Sequence, residues 1–202
     1  MQRKGSVFVV NEVNESMKQA FARWQPGREN DLVTGDGPPD AKLMLIGEAP
    51  GEQETLQHRP FVGKAGKNLD HFLEISGLRR DEIYITNTVK IRPTKVGKTR
   101  RLSNRPPNRE ELDFFTPWLM MEIQTVQPRF IAVLGNTPLH ALAGRDVMIG
   151  SVHGQMVPIK GMDRTCFALY HPASLIYNPS LREIYETDIR ILSSLVRAGG
   201  VG

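Results

Sequence analysis

Residues 42–54 read KLMLIGEAPGEQE: a short apolar run that stops at Gly47 and gives way at once to a turn of Gly, Pro and Glu. A nearly continuous apolar run of this length predicts a strand covered on both faces, as in a parallel sheet. Three further runs repeat the pattern, Glu82 to Ile85 (EIYI), Phe130 to Leu134 (FIAVL) and Cys166 to Leu169 (CFAL), each ending where a Gly, Asn or His follows. Helical periodicity fills the intervals. Ala65, Leu69, Phe72 and Leu73 share one helical face, with Gly77 placed as a left-handed cap. Asn108 and Glu111 form a capping-box pair ahead of Leu112, Phe115 and Leu119, with Pro128 closing the segment. Pro117 predicts a kink or break inside it. Ser180 with Glu183 is expected to open a last helix bearing Ile184, Ile189, Leu192 and Leu195.

Strands alternating with helices predict an α/β fold, a three-layer α/β/α sandwich on a parallel sheet. Ligands of such sheets bind beyond the carboxyl ends of the strands. That rule selects GEAPGEQE, NTVKIRP, GNTPLHAL and YHPASLIYNPS, the segments that follow the four runs. At 202 residues the chain is expected to be a single domain, 1–202, on which residues 1–40 pack as a helical and loop extension with an amphipathic stretch from Ser16 to Trp24.

Composition narrows the function classes. No apolar run reaches the ~18 residues of a membrane span, and the apolar part of the amino terminus is too short for a signal peptide. The expectation is a cytoplasmic protein with no membrane partner. One cysteine, Cys166, allows no internal disulfide and cannot alone hold zinc or an iron–sulfur cluster. No metal and no cofactor is expected. The net charge of +4 is unevenly spread: residues 90–109 carry eight Lys and Arg and no acid, which leaves 18 basic against 22 acidic residues elsewhere. A local cationic segment suits a polyanion such as nucleic acid, and a solvated basic loop equally well.

Taken singly, the motifs stay ambiguous. Two glycines and acids after a strand are most often a turn, and GEAPGEQE is not a Walker loop. Phe61, in RPFVGKAG, is either a core plug or a stacking platform. His171, in YHPASL, is more often a structural His than a catalytic one.

Together, GEAPGxxE, RPFVGxAG, TNxVKxRP, VLGNxP and HPAxL, in this order from about Lys42 to the final helix, resemble the family four uracil-DNA glycosylases. The resemblance implies a central four-stranded parallel sheet and a monofunctional enzyme that flips uracil out of DNA and hydrolyses its N-glycosidic bond, initiating base excision repair. It implies Glu48 and His171 as catalytic residues. Gly47, Ala49, Phe61 and Asn87 then form the uracil pocket, Phe61 by stacking and Asn87 by reading the base edge. Lys90, Arg92, Lys98, Arg100, Arg101 and Arg105 are expected to grip phosphates. Ser174, Leu175 and Ile176 are expected at the DNA, with Leu175 or Ile176 as the wedge; packing of the last helix on the sheet is the other reading of this stretch. DNA containing uracil, single- or double-stranded, is the expected partner of a monomer. Alternatives are a relative preferring hypoxanthine or xanthine and an inactive DNA-binding homologue.

Two departures stand out. Members of that family hold a four-iron cluster on four cysteines, whereas here the corresponding positions are Ile91 and Thr116, and the amino-terminal region has no cysteine. A related branch traps DNA through a histidine in a basic loop, and Lys98 to Asn104 resembles that loop with Ser103 at the histidine's place and Ala49 where the branch has glutamine. Turnover without covalent trapping is therefore expected. No lysine is placed as a Schiff-base nucleophile. His58, His71, His140 and His153 have no expected site role, and Asn136 is expected to cap a helix.

Overall fold

A computed structural model describes residues 3–97 and 100–199, with side chains from Val9 onward. Helix α1 (Arg3–Trp24) leads through a short turn into strand β1 (Leu43–Gly47), followed by α2 (Glu52–Gln57), α3 (Lys64–Ser76) and β2 (Ile83–Asn87). A small hairpin, β3 (Thr94–Val96) and β4 (Leu102–Asn104), precedes α4 (Arg109–Val126) and β5 (Phe130–Leu134). Then come α5 (Asn136–Ala143), α6 (Ile149–Val152), β6 (Met156–Pro158), β7 (Thr165–Leu169), α7 (Ser174–Tyr177) and α8 (Arg182–Ala198).

The main sheet has the order β2-β1-β5-β7-β6. Its first four strands are parallel and coincide with the four apolar runs; β6 adds a fifth, antiparallel to β7 at the edge. The expected four-stranded sheet thus gains one strand. Its three residues include Pro158 and only Val157 is buried, so no apolar run announces it.

Period-two alternation sends the strand side chains to two cores. Leu43, Leu45, Ile83, Ile85, Ala132 and Leu134 pack with residues of α3 and α8. Met44, Ile46, Tyr84, Ile131, Val133 and Ala168 pack with residues of α4 and α5. The outer edge of β2 is covered by the lead-in segment, where Asp36 and Ile85 exchange both backbone hydrogen bonds at 2.9 and 2.8 Å.

Local chemistry sets the element ends. Asn108 accepts from the Glu111 amide at 2.8 Å, while the Glu111 carboxylate accepts from the Asn108 amide at 2.8 Å, completing the capping box. Gly77 caps α3 with φ of 68°. Helix α4 continues past Pro117 without a break. Both Pro117 and Asp113, whose carbonyl loses its helical partner there, are exposed, so water can satisfy that carbonyl. The last helix starts at Arg182 instead of Ser180, because Pro179–Leu181 form a separate turn in which Asn178 accepts from the Ser180 amide.

Among the described residues, no helix is long and apolar enough to cross a membrane. Helix α1 docks on α4 through aromatic rings: Trp24 stacks on Phe114 at 4.3 Å, and Phe21 touches Phe114 and Phe115.

Candidate active site

The carboxyl ends of β1, β2, β5 and β7 surround a cleft of about 870 Å³. Glu48, Phe61, Asn87 and His171, four residues far apart in sequence, line it together. Ala49, Arg92, Arg105, Ser174 and Ile176 also reach its wall.

The floor is built by the β1 and β2 ends. Thr88 donates to the Gly47 carbonyl through both its amide (2.8 Å) and its hydroxyl (2.9 Å), and the Val89 amide donates to the Glu48 carbonyl at 3.0 Å. These bonds lock the Gly47–Glu48 turn beside Asn87, which is 2 % exposed. Gly47 has no room for a side chain: a Cβ would stand 2.4 Å from the Asn87 amide oxygen and 2.6 Å from the Phe61 ring. The pocket thus requires Gly47 for close approach, not for backbone freedom.

Phe61 adopts a left-handed φ of 53°, a costly conformation for an aromatic residue. Two side chains clamp it. The Glu54 carboxylate accepts from the amides of Val62 (2.9 Å), Gly63 (2.6 Å) and Gly51 (3.1 Å), joining the first motif to the second. From the other side, the Arg80 guanidinium donates to the carbonyls of Pro60 (2.8 Å) and Phe61 (3.1 Å) and pairs with Asp70 at 2.7 Å. The Phe61 ring faces His171 with centroids 5.8 Å apart. Neither Glu54 nor Arg80 was identified as a site residue from sequence, although Glu54 is the last fixed letter of GEAPGxxE.

His171 accepts a hydrogen bond at Nδ1 from the Ala173 amide, 3.1 Å away. An accepting Nδ1 places the ring proton on Nε2, leaving a neutral imidazole with one donor. Burial pushes its pKa down to about 4, outweighing the opposite pull of the Glu54 carboxylate. The sign of the effect on stability follows. Between pH 6.5 and about 4 the unfolded chain binds a proton that the folded chain refuses, so His171 removes stability as pH falls through that window. Unfolding measured from pH 7 to 4 is expected to lose part of its acid sensitivity in His171→Asn. An unchanged pH slope would contradict a neutral His171.

Glu48 accepts a 2.5 Å hydrogen bond from the Thr137 hydroxyl in the first turn of α5. This contact, invisible from sequence spacing, fixes the carboxylate's orientation. Asn136 accepts from the Ile149 amide at 2.8 Å and so caps α6 rather than its own helix.

Several expected DNA contacts need correction. Lys90 is 2 % exposed and its ammonium binds Glu122 Oε2 and Thr86 Oγ1, both at 2.5 Å, so it cannot reach a phosphate. Leu175 is 5 % exposed and packs in the core shared with α3 and α8, which removes it as a wedge or DNA contact. Ile176 and Tyr177 point outward instead, 46 % and 87 % exposed. Arg105 is committed to both oxygens of Glu111 at 2.7 Å. Arg92 binds Asn104 and Glu52 at 2.8 and 3.2 Å. Arg100 and Arg101 are exposed, whereas Lys98 lies outside the described residues.

The positions that would carry an iron–sulfur cluster do not fit one. Ile91 is 1 % exposed inside an apolar cluster with Met17, Phe21, Leu32, Val89 and Phe115. The sole cysteine, Cys166, is buried in β7, where desolvation pushes its thiol up to about 12.

A family model described as the uracil DNA glycosylase superfamily matches residues 34–190. This chain belongs to that superfamily. A type-4 uracil-DNA glycosylase of Saccharolobus solfataricus is 39 % identical over 190 residues, covering 91 % of this chain and 82 % of the relative. One from Sulfurisphaera tokodaii is 38 % identical over 172 residues, covering 82 % and 74 %. The crystal structure of Pedobacter heparinus SMUG2 superposes with a TM-score of 0.52 at 15 % identity, over 81 % of this chain and 77 % of that one, and supports the fold. The superfamily match spans the whole strand-end cleft, from the lead-in segment to the middle of α8.

Proposed function

We propose that this superfamily member is a monofunctional uracil-DNA glycosylase of base excision repair, hydrolysing the bond between uracil and deoxyribose. The observation that carries the reading is the convergence of Glu48, Phe61, Asn87 and His171 on one strand-end cleft. Cleavage of the N-glycosidic bond leaves positive charge on the sugar and negative charge on the departing base. Neutral His171, donating through Nε2, stabilises the uracil anion at O2. A protonated imidazole is not required, which agrees with the lowered pKa. Glu48, oriented by Thr137, positions the attacking water or stabilises the oxocarbenium ion.

Selectivity lies with Asn87 and Phe61. A side-chain amide satisfies uracil's O4 acceptor and N3 donor together, and cytosine presents the reverse pattern, leaving buried groups unpaired. Phe61, held in place by Glu54 and Arg80, provides a rigid face on which the flipped base stacks. Of the two expected wedges, Leu175 and Ile176, only Ile176 is exposed, and it or its neighbour Tyr177 fills the stack that the base vacates. The substrate is DNA, the working form is a monomer, and the enzyme acts in the cytoplasm.

The test is release of free base from oligonucleotides bearing uracil, hypoxanthine or xanthine, with the reaction also run on a denaturing gel. Uracil is expected to be released fastest, with an abasic product and no protein–DNA adduct. Faster purine release would establish a different base preference. A stable shifted adduct would contradict turnover. DNA binding with no abasic product would reduce the protein to a binding homologue.

A further inference from the structure

The β3–β4 hairpin carries two apolar side chains that the fold does not use. Val96 and Leu102 are paired across the strands and are 69 % and 59 % exposed. A two-stranded ribbon with three residue pairs gains little stability by itself, and exposed apolar pairs on it invite contact. Its base is nevertheless anchored firmly. Arg92 donates to Asn104, Arg105 Nε donates to the Thr94 carbonyl at 3.1 Å, and Arg105 is in turn paired with Glu111.

Strand alternation gives the hairpin two distinct faces. Thr94, Val96, Leu102 and Asn104 share one; Lys95 and Ser103 share the other. Asn104 lines the cleft, so the Val96–Leu102 pair lies on the cleft side. Exposed Arg100 and Arg101 stand next to it in the chain. An apolar face flanked by cations complements the bases and phosphates of a nucleic acid strand. The hairpin follows the end of β2, while Ile176 and Tyr177 follow the end of β7, three strand positions away in the sheet. At ~4.8 Å per strand, the ends of those two strands lie roughly 14 Å apart.

We propose that the hairpin is a second DNA-contacting rim: Val96 and Leu102 pack against an unstacked nucleotide beside the flipped one, and Arg100 and Arg101 hold its phosphates. The inference rests on the DNA glycosylase reading but is separable from it. The experiment is fluorescence anisotropy of a labelled single-stranded oligonucleotide without uracil, titrated over a range of salt, alongside uracil release by the same proteins.

Val96→Thr/Leu102→Thr places a strand-favouring β-branched residue at both positions while removing the larger apolar surface. It is expected to weaken binding about tenfold with an unchanged slope of log affinity against log salt. Arg100→Gln/Arg101→Gln is expected to weaken binding and to lower that slope by about 1.4, the release of two counterions from a single strand. Both variants should melt with the parent, because all four side chains are exposed. Parent-like binding by the Thr pair, or a loss that comes with a changed salt slope, would overturn the apolar rim. An unchanged slope in the Gln pair would overturn the phosphate contacts. A parent protein that releases no uracil while the hairpin variants still lose binding would refute the glycosylase reading and leave the rim standing.

Discussion

Lys90→Met is expected to destabilise the folded chain by about 3–5 kcal/mol, the usual cost of stranding one partner of a buried ion pair. Lys90 and Glu122 are 2 % and 3 % exposed, and the Glu122 carboxylate also accepts from Tyr84 Oη at 2.7 Å and from Thr86 Oγ1 at 3.0 Å. Burial and the Glu122 charge push the Tyr84 phenol upward, so it remains a donor. Removing the ammonium leaves a carboxylate with hydroxyl partners only. In a chain of this size the loss corresponds to a fall in Tm on the order of 10 °C. Lys90→Met/Glu122→Gln should recover most of it, since a neutral amide can keep the Tyr84 and Thr86 bonds. Thermal unfolding of the parent, the single and the double variant checks this. A single variant as stable as the parent would show that the pair is not a buried charge interaction.

The second large effect is on catalysis. Asn87→Ala removes the cleft-lining amide that the proposed function assigns to the base edge, so on that proposal the polar edge of uracil is left unpaired. Sites that hydrogen-bond a buried substrate edge lose 10⁴-fold or more in discrimination when that pairing fails. A drop in kcat/KM of at least about 10²-fold is expected here. His171→Ala removes the Nε2 donor that the proposed mechanism assigns to the leaving base, an electrostatic contribution of similar size. Both residues sit on an intact scaffold: Asn87 ends β2, whose register with β1 is set by backbone bonds, and His171 follows β7.

What was legible in the sequence follows a physical pattern. Parallel strands buried on both faces must be apolar throughout, so KLMLI, EIYI, FIAVL and CFAL declared themselves within one residue at each end, except that β2 runs two residues past EIYI into the polar Thr86 and Asn87. The capping box at Asn108 and the left-handed Gly77 are local devices and were equally visible. Strand β6 was hidden because a three-residue edge strand containing proline has no period to detect.

Side-chain partnership was the harder part. Lys90 looked like a phosphate contact because its charge falls in a basic run, and its true partner lies 32 residues away on α4. Leu175 and Ile176 are adjacent and chemically alike; only their place on a single turn of helix decides that one is buried and the other exposed. Glu54, Arg80 and Thr137 act by holding the aromatic loop and the Glu48 carboxylate, roles that exist only once four strand ends are brought together.

The described residues between Ile91 and Thr116 hold their places without cysteines. Ile91 and Phe115 are buried in the cluster anchored by Met17 and Phe21 of α1, so the amino-terminal helix supplies apolar packing at both ends of this segment. Arg105, bound to Glu111 and to the Thr94 and Pro106 carbonyls, ties the hairpin to the start of α4. The apolar cluster and the Arg105 bonds together brace one wall of the cleft.

The most direct test is release of free uracil from a single-stranded uracil-containing oligonucleotide by the parent protein beside Asn87→Ala and His171→Ala. The parent is expected to release uracil, with each variant at least about 10²-fold slower while melting with the parent. Release by both variants at close to the parent rate would show that the cleft of Glu48, Phe61, Asn87 and His171 is not the site of the chemistry.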